Sequence, residues 1–180
     1  PGITLDVDCG SLGGDVTLAL VYKSSSTYYL LGNENAATAD FTVHNGCFAR
    51  GASGSCDILS TLYAQWALVD IGNSISTLVY VKETYDATDP EQVALLYLIT
   101  KDEDYLQDLA GLQKSDGSFD RDVYTTALAV LALKESVDYE AEVDEATAFL
   151  VEEQDGDGHW NDDVSATALA LYAAFSDEDV

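Results

Sequence analysis

The sequence predicts an α+β protein, with a small N-terminal antiparallel β-sheet followed by about seven helices in hairpin repeats. Three observations predict it. Residues 1–50 hold short β-branched and aromatic runs with partial two-residue alternation, separated by turn compositions. From residue 51 the apolar period becomes helical. Finally, the block that starts at Gln113 returns at Gln154: Gln113/Gln154, Gly117/Gly158, Phe119/Trp160 and Thr126/Thr167 all stand 41 residues apart. A fixed period of this size marks a repeat architecture, in which each unit buries its apolar face against its neighbours. The expected division is a β-rich segment, 1–50, and a helical repeat domain, 51–180.

The expected strands are Ile3–Cys9, Val16–Tyr22, Ser26–Leu31 and Ala37–Val43, with GSLGG, KSSS and GNEN as turns. Four short strands make no thick core alone, so the sheet needs a surface to pack on. His44–Ser55 reads as a Gly/Ser-rich connector. Asp57 then opens a helix to Val69 that is apolar nearly all round, and hence an inner helix buried on most sides. A second helix is expected over Asn73–Tyr85. Asp89-Pro90 supplies an N-cap and a proline at the first helical position. Glu103–Lys114 is amphipathic, and Asp122 caps the apolar run VYTTALAVLAL. Tyr139–Gln154 is amphipathic again, with Val143, Ala146, Leu150 and Val151 inward. Asp163 starts the last helix, which ends near Phe175, and the tail SDEDV is expected to fray. Amphipathic outer helices thus alternate with apolar inner ones. Tyr63, Tyr97, Tyr105, Tyr124 and Tyr172 fall at core-compatible helical positions.

The formal charge is −26, from 33 acidic and 7 basic residues, and it is uneven, −4 over residues 1–57 and −22 over 58–180. Such a field repels nucleic acid and anionic lipid and attracts cations. No apolar run reaches the ~18–20 residues that span a bilayer. The chain begins at Pro1 and contains no Met, which reads as a processed or excised piece. Of three cysteines, Cys47 and Cys56 could close a loop worth ~2–3 kcal/mol of chain entropy, pairings with Cys9 are equally legal, and reduced structural thiols are the alternative.

The spacings Gln113-x3-Gly117-x-Phe119 and Gln154-x3-Gly158-x-Trp160 resemble the QW-type repeat of the squalene cyclase and prenyltransferase superfamily. Ala146, Phe149 and Leu150 extend the second copy backward at that family's spacing, whereas Glu145 replaces its basic residue. The resemblance covers roughly residues 57–176 and is strong over 105–175. It implies an α/α toroid of inner and outer helices. Its glutamine and aromatic ring stitch neighbouring helices, a structural role for Gln113, Gly117, Phe119, Gln154, Gly158 and Trp160. With about seven helices the chain makes an incomplete toroid, an open arc rather than a closed cup.

The catalytic parts of that superfamily have no counterpart. The Asp-x-Asp-Asp proton donor is missing, the nearest runs being Asp120-Arg-Asp122-Val and Asn161-Asp-Asp163-Val. The zinc site is missing, because the histidines and cysteines have no ligand spacing. Gly46-Cys47-Phe48-Ala49-Arg50 lacks the glutamine of the thioester motif found on related toroids. His44 and His159 stand in no triad-like pattern.

One cofactor candidate is Ca²⁺. Asp116, Asp120, Asp122, Asp155, Asp157, Asn161 and Asp163 put oxygen ligands at equivalent places in both repeats, and Ca²⁺ takes about 6–8 oxygens. The order is not that of an EF-hand, and helix caps and turns use the same residues.

These readings point to a non-catalytic structural or adhesive module of a secreted or cell-surface protein. Repeat ends and strand edges would let it self-assemble into a filament or lattice, with no nucleic-acid partner and no membrane insertion. The alternatives are a glycan- or ligand-binding module using the concave face of the arc, and a degenerate terpenoid-cyclase-like enzyme.

Overall fold

The computed structural model describes residues 3–14, 16–24, 27–43, 46–51, 54–73 and 77–175; His44 and the tail after Phe175 lie outside them. Four strands come first: β1 (Ile3–Asp8), β2 (Val16–Ser24), β3 (Thr27–Ala36) and β4 (Thr38–Val43). All pairing is antiparallel, but it forms two two-stranded sheets rather than one. β1 pairs with β4 from Ile3↔Val43 to Asp8↔Thr38, and the β2–β3 hairpin lies between them in sequence. Gly32–Asn35, expected as a turn, is part of β3. Ladder partners along β2 hold it extended, with a register shift at Leu20/Val21 absorbing the irregularity. Ala39 is buried, yet Leu5, Val21, Tyr28 and Leu30 are exposed. Two-stranded sheets bury little by themselves.

Seven α-helices follow among the described residues: α1 (Ile58–Asp70), α2 (Leu78–Thr84), α3 (Pro90–Thr100), α4 (Asp104–Ala110), α5 (Val123–Leu133), α6 (Glu140–Glu152) and α7 (Val164–Ala174). The fold is therefore α+β. The chain forms two compact units, Pro1–Tyr85 and Asp86–Val180, so α1 and α2 fall in the unit that holds the strands. The change in composition lies earlier, near residue 50.

Each cap aspartate acts as its chemistry requires. Asp57, Asp89, Asp122 and Asp163 are extended residues whose carboxylates accept from free backbone N–H groups in the first turns of α1, α3, α5 and α7. Pro90 costs no hydrogen bond at the first helical position.

In the first unit α1 packs on α2, and Thr77 Oγ1 donates to Gln65 Oε1 at 3.0 Å with both residues buried. Only Thr61, Leu62 and Gln65 of α1 are buried, so it is not the deeply enclosed helix that its composition suggests. An apolar sequence sets what a helix can bury, and the number of packed neighbours sets what it does bury.

The second unit is layered. α5 packs beside α3 and α7, while α4 lies on α3 and α6 on α5, giving an inner row of apolar helices and an outer row of amphipathic ones. α3 and α5 are buried along nearly their whole length. Burial of a single leucine such as Leu95 or Leu128, both at 0% exposure, stabilises by about 1.5–3 kcal/mol. Two inward expectations fail. Val151 is 56% exposed and Tyr172 62%, although Ala146, Leu150, Tyr97 and Tyr105 are buried.

Candidate functional site: the repeat joints

The two copies of the repeat fold into the same loop. Gly117 and Gly158 have φ of 82° and 86°, and Asp120/Arg121 and Asn161/Asp162 are all left-handed at 55–58°. Gly117 N–H donates to the Lys114 carbonyl and Gly158 N–H to that of Asp155. The aromatic ring that follows is fully buried in each, as Phe119 and Trp160. Trp160 Nε1 donates to the Leu150 carbonyl at 2.7 Å, which anchors the loop to α6.

A threonine one turn into the inner helix holds each ring in place. Thr126 Oγ1 accepts from Phe119 N–H at 2.9 Å, and its own proton faces the Asp122 carbonyl at 2.7 Å. Thr167 Oγ1 accepts from Trp160 N–H at 3.1 Å. The same device occurs a third time, where the sequence period does not reveal it. Thr61 Oγ1 accepts from Phe48 N–H at 2.9 Å and donates to the Asp57 carbonyl at 2.7 Å, below a helix capped by Asp57. Gly46-Cys47-Phe48 repeats the Gly-x-aromatic spacing, although Phe48 is 37% exposed where Phe119 and Trp160 are buried. Nine positions separate Phe48 from Asp57, against three in the later copies, and this longer loop hides the match. The disulfide Cys47–Cys56 closes the loop at its base with the Cα atoms 5.5 Å apart, and Arg50 Nε lies 3.3 Å from Asp57 Oδ2. Cys9 is the free thiol.

Gln113 joins two hairpins. Its Nε2 donates to the Gly117 carbonyl at 3.0 Å and to the Glu142 carbonyl of α6 at 2.8 Å. Gly117 permits the approach, because an added Cβ would collide with the Glu145 carbonyl of the same helix, whose carbon would lie 2.7 Å away. Gln154 repeats the first bond, to the Gly158 carbonyl at 3.0 Å, and among the described residues not the second.

The acidic side chains of the loops are engaged mostly in local turns and caps. Asp116 Oδ1 accepts from Ser118 N and Oγ, and the hydroxyl bond is the largest of the causes that hold its carboxyl below the usual carboxylate value. Asp120 Oδ1 pairs with Lys114 Nζ at 3.1 Å, and Arg121 Nε lies 3.7 Å from Asp116. Asp122 and Asp163 cap their helices. Asp155 Oδ2 accepts from Asn161 N–H and lies 3.1 Å from His159 Nδ1. Asp157 is exposed. Among the described residues no three His, Cys, Asp or Glu side chains are grouped to hold a metal ion.

A second cluster had no signal in the sequence. Tyr97 of α3 donates through Oη to Glu135 Oε2 at 3.0 Å, and Lys101 Nζ pairs with the same carboxylate at 2.6 Å. Lys101 also lies 5.2 Å from the Tyr97 ring centre. Burial, followed by the bond to Glu135, pushes the Tyr97 phenol up to about 12. This cluster ties the end of α3 to the turn after α5.

Fold and joints together define a protein of helical-hairpin repeats with a small β-rich N-terminal part. No protein-family profile, curated protein or solved structure matches the chain.

Proposed function

We propose that this protein is a non-catalytic structural module, of the secreted or cell-surface kind, which enters an assembly through the open end of its helical repeat. One observation carries the reading: three equivalent positions of α5 and α7 differ sharply in burial. Val123, Val130 and Leu131 are 3%, 1% and 8% exposed, whereas Val164, Leu171 and Tyr172 are 83%, 47% and 62% exposed. α5 is packed between α3 and α7 with α6 on it, whereas among the described residues α7 has α5 as its one extensively packed helix. Val164 and Leu171 line one groove, and exposed apolar surface of this kind marks interaction sites. The resemblance to QW repeats supports a stacking role for the same residues, and the employment of the loop carboxylates as caps and turns supports a structural one.

Native-state hydrogen exchange of the full chain tests this. The α7 amides should exchange well ahead of those of α5; equal protection in dilute protein would overturn the open-end reading.

Self-association has separate support in the strands, since both sheets are two-stranded and the β2–β3 sheet carries exposed Val21, Tyr28 and Leu30. Sedimentation velocity should detect association that grows with salt, as screening relieves the repulsion of a −26 chain, and that Leu30→Lys weakens. A monomer at every concentration and salt level would sink self-association and leave the repeat end as the docking face.

A further inference from the structure

The joint built on Phe48 and Thr61 contains residues that the joint does not need. Asp57 N–H donates to the Phe48 carbonyl at 3.0 Å, as Asp122 N–H does to that of Phe119 at 3.2 Å and Asp163 N–H to that of Trp160 at 2.9 Å. The same turn is thus closed over nine positions in the first case and over three in the others. The antiparallel bridge Ala49↔Cys56 and the Cys47–Cys56 disulfide seal the neck, which leaves residues 50–55 outside the joint. We infer that this loop is a site of limited proteolysis. An arginine-specific serine endopeptidase hydrolyses the Arg50–Gly51 bond, and the disulfide keeps the two chains together. Water supplies the oxygen of the new Arg50 carboxylate, and Gly51 keeps the nitrogen as an ammonium group.

Access favours this bond. The Arg50 side chain is 75% exposed, and Gly51, Gly54 and Ser55 are exposed. Among the described residues nothing lies within 4 Å of where a Cβ on Gly51 would stand. Every residue from Gly51 to Ser55 is Gly, Ala or Ser. Exposed loop tips of such small residues are where nicking concentrates. Arg50 Nε lies 3.3 Å from Asp57 Oδ2, but an ion pair this exposed holds weakly and yields its guanidinium to an enzyme pocket.

The other basic residues are poor competitors. Lys82, Lys101, Arg121 and Lys134 are each followed by Asp or Glu, whose carboxylate is repelled by the acidic pocket that takes an Arg or Lys side chain. Lys23 is held in the β2 ladder opposite Tyr28. Lys114 sits in a tight turn, where its N–H donates to the Ser118 carbonyl and its own carbonyl accepts from Gly117 N–H. Hydrolysis after Arg50 leaves the joint whole. Phe48 N–H still donates to Thr61 Oγ1 and Asp57 N–H to the Phe48 carbonyl, because both bonds lie below the neck. Residues 1–50 therefore stay fastened to residues 51–180 through Cys47 and Cys56.

The test treats the native, oxidised full chain in parallel with limiting trypsin, an arginine-specific endopeptidase and a lysine-specific one. The first two should cut once, after Arg50, at least about tenfold faster than after any other basic residue. The product should gain the mass of one water, run as one species without reductant, and separate into residues 1–50 and 51–180 with it. The lysine-specific enzyme should leave the chain whole over the same time. Arg50→Lys should hand the same bond to that enzyme, and Arg50→Gln should remove the cut, with circular dichroism unchanged in both. A first cut at Arg121 or at any lysine would overturn the proposal. A chain that resists trypsin and the arginine-specific enzyme until it melts would do the same. Separation of the nicked chain without reductant, or loss of slow exchange at the Thr61 amide, which bonds to the Asp57 carbonyl, would overturn the disulfide-held product.

Discussion

The side-chain amide of Gln113 donates to the backbone carbonyl of Glu142 at 2.8 Å, joining the loop after α4 to the first turn of α6. Among the described residues its counterpart Gln154 holds only its own loop. Gln113→Ala should therefore destabilise by about 1–2 kcal/mol in urea unfolding, and Gln154→Ala by about half that or less. Equal losses would show that both glutamines act only within their loops.

The paired glycines give a sharper contrast. Both are left-handed, so alanine at either costs about 1–2 kcal/mol of backbone strain. At Gly117 the new Cβ also meets the α6 backbone, adding about 1–3 kcal/mol. Gly117→Ala should lower the melting temperature well beyond Gly158→Ala. The reverse order would mean that the α6 crossing yields easily.

Three threonines perform one task at two depths. Thr126 and Thr61 are fully buried, and Thr167 is half-buried. Replacement by valine keeps the shape but removes the acceptor for the aromatic residue's N–H. Thr126→Val should cost about 1–3 kcal/mol, Thr61→Val a similar amount, and Thr167→Val less, since water reaches that site. Denaturant midpoints at unchanged slope would register the difference.

Alkaline stability depends on Tyr97. Its folded pKa of about 12 lies above the ordinary 10.0, so the folded state holds the phenol proton more tightly. The stabilisation is complete below pH 10 and lost as pH rises toward 12. Tyr97→Phe should flatten the fall in melting temperature over that window. On the acid side Asp57, Asp86 and Asp116 are held below 3.8, chiefly by hydrogen bonds from Ser60, Thr88 and Ser118. Their contribution is present above that pH and disappears as pH falls through the lowered values. Ser118→Ala should reduce the acid-induced loss that Asp116 causes.

The helical part was legible because its signals are local and periodic. Asp before an apolar run reports a cap, and a 41-residue offset reports a repeat, without reference to any distant residue. The site was legible to the same degree: Gln, Gly and aromatic ring stand at regular spacing, and they form the joints. The third joint escaped because the longer Cys47–Cys56 loop breaks the spacing while leaving the hydrogen bonds intact. Tyr97 and Glu135 escaped because nothing in a chain relates residues 38 positions apart until helices bring them together.

From the residues alone come the period, the caps, the apolar inner helices and the acidic charge, all of which depend on neighbours within a turn or two. Tertiary structure alone decided that α5 is enclosed while α7, identical to it at six of eleven positions, presents Val164, Leu171 and Tyr172 to solvent. Burial is a property of what stacks on a helix, and α5 is stacked on from more sides than α7.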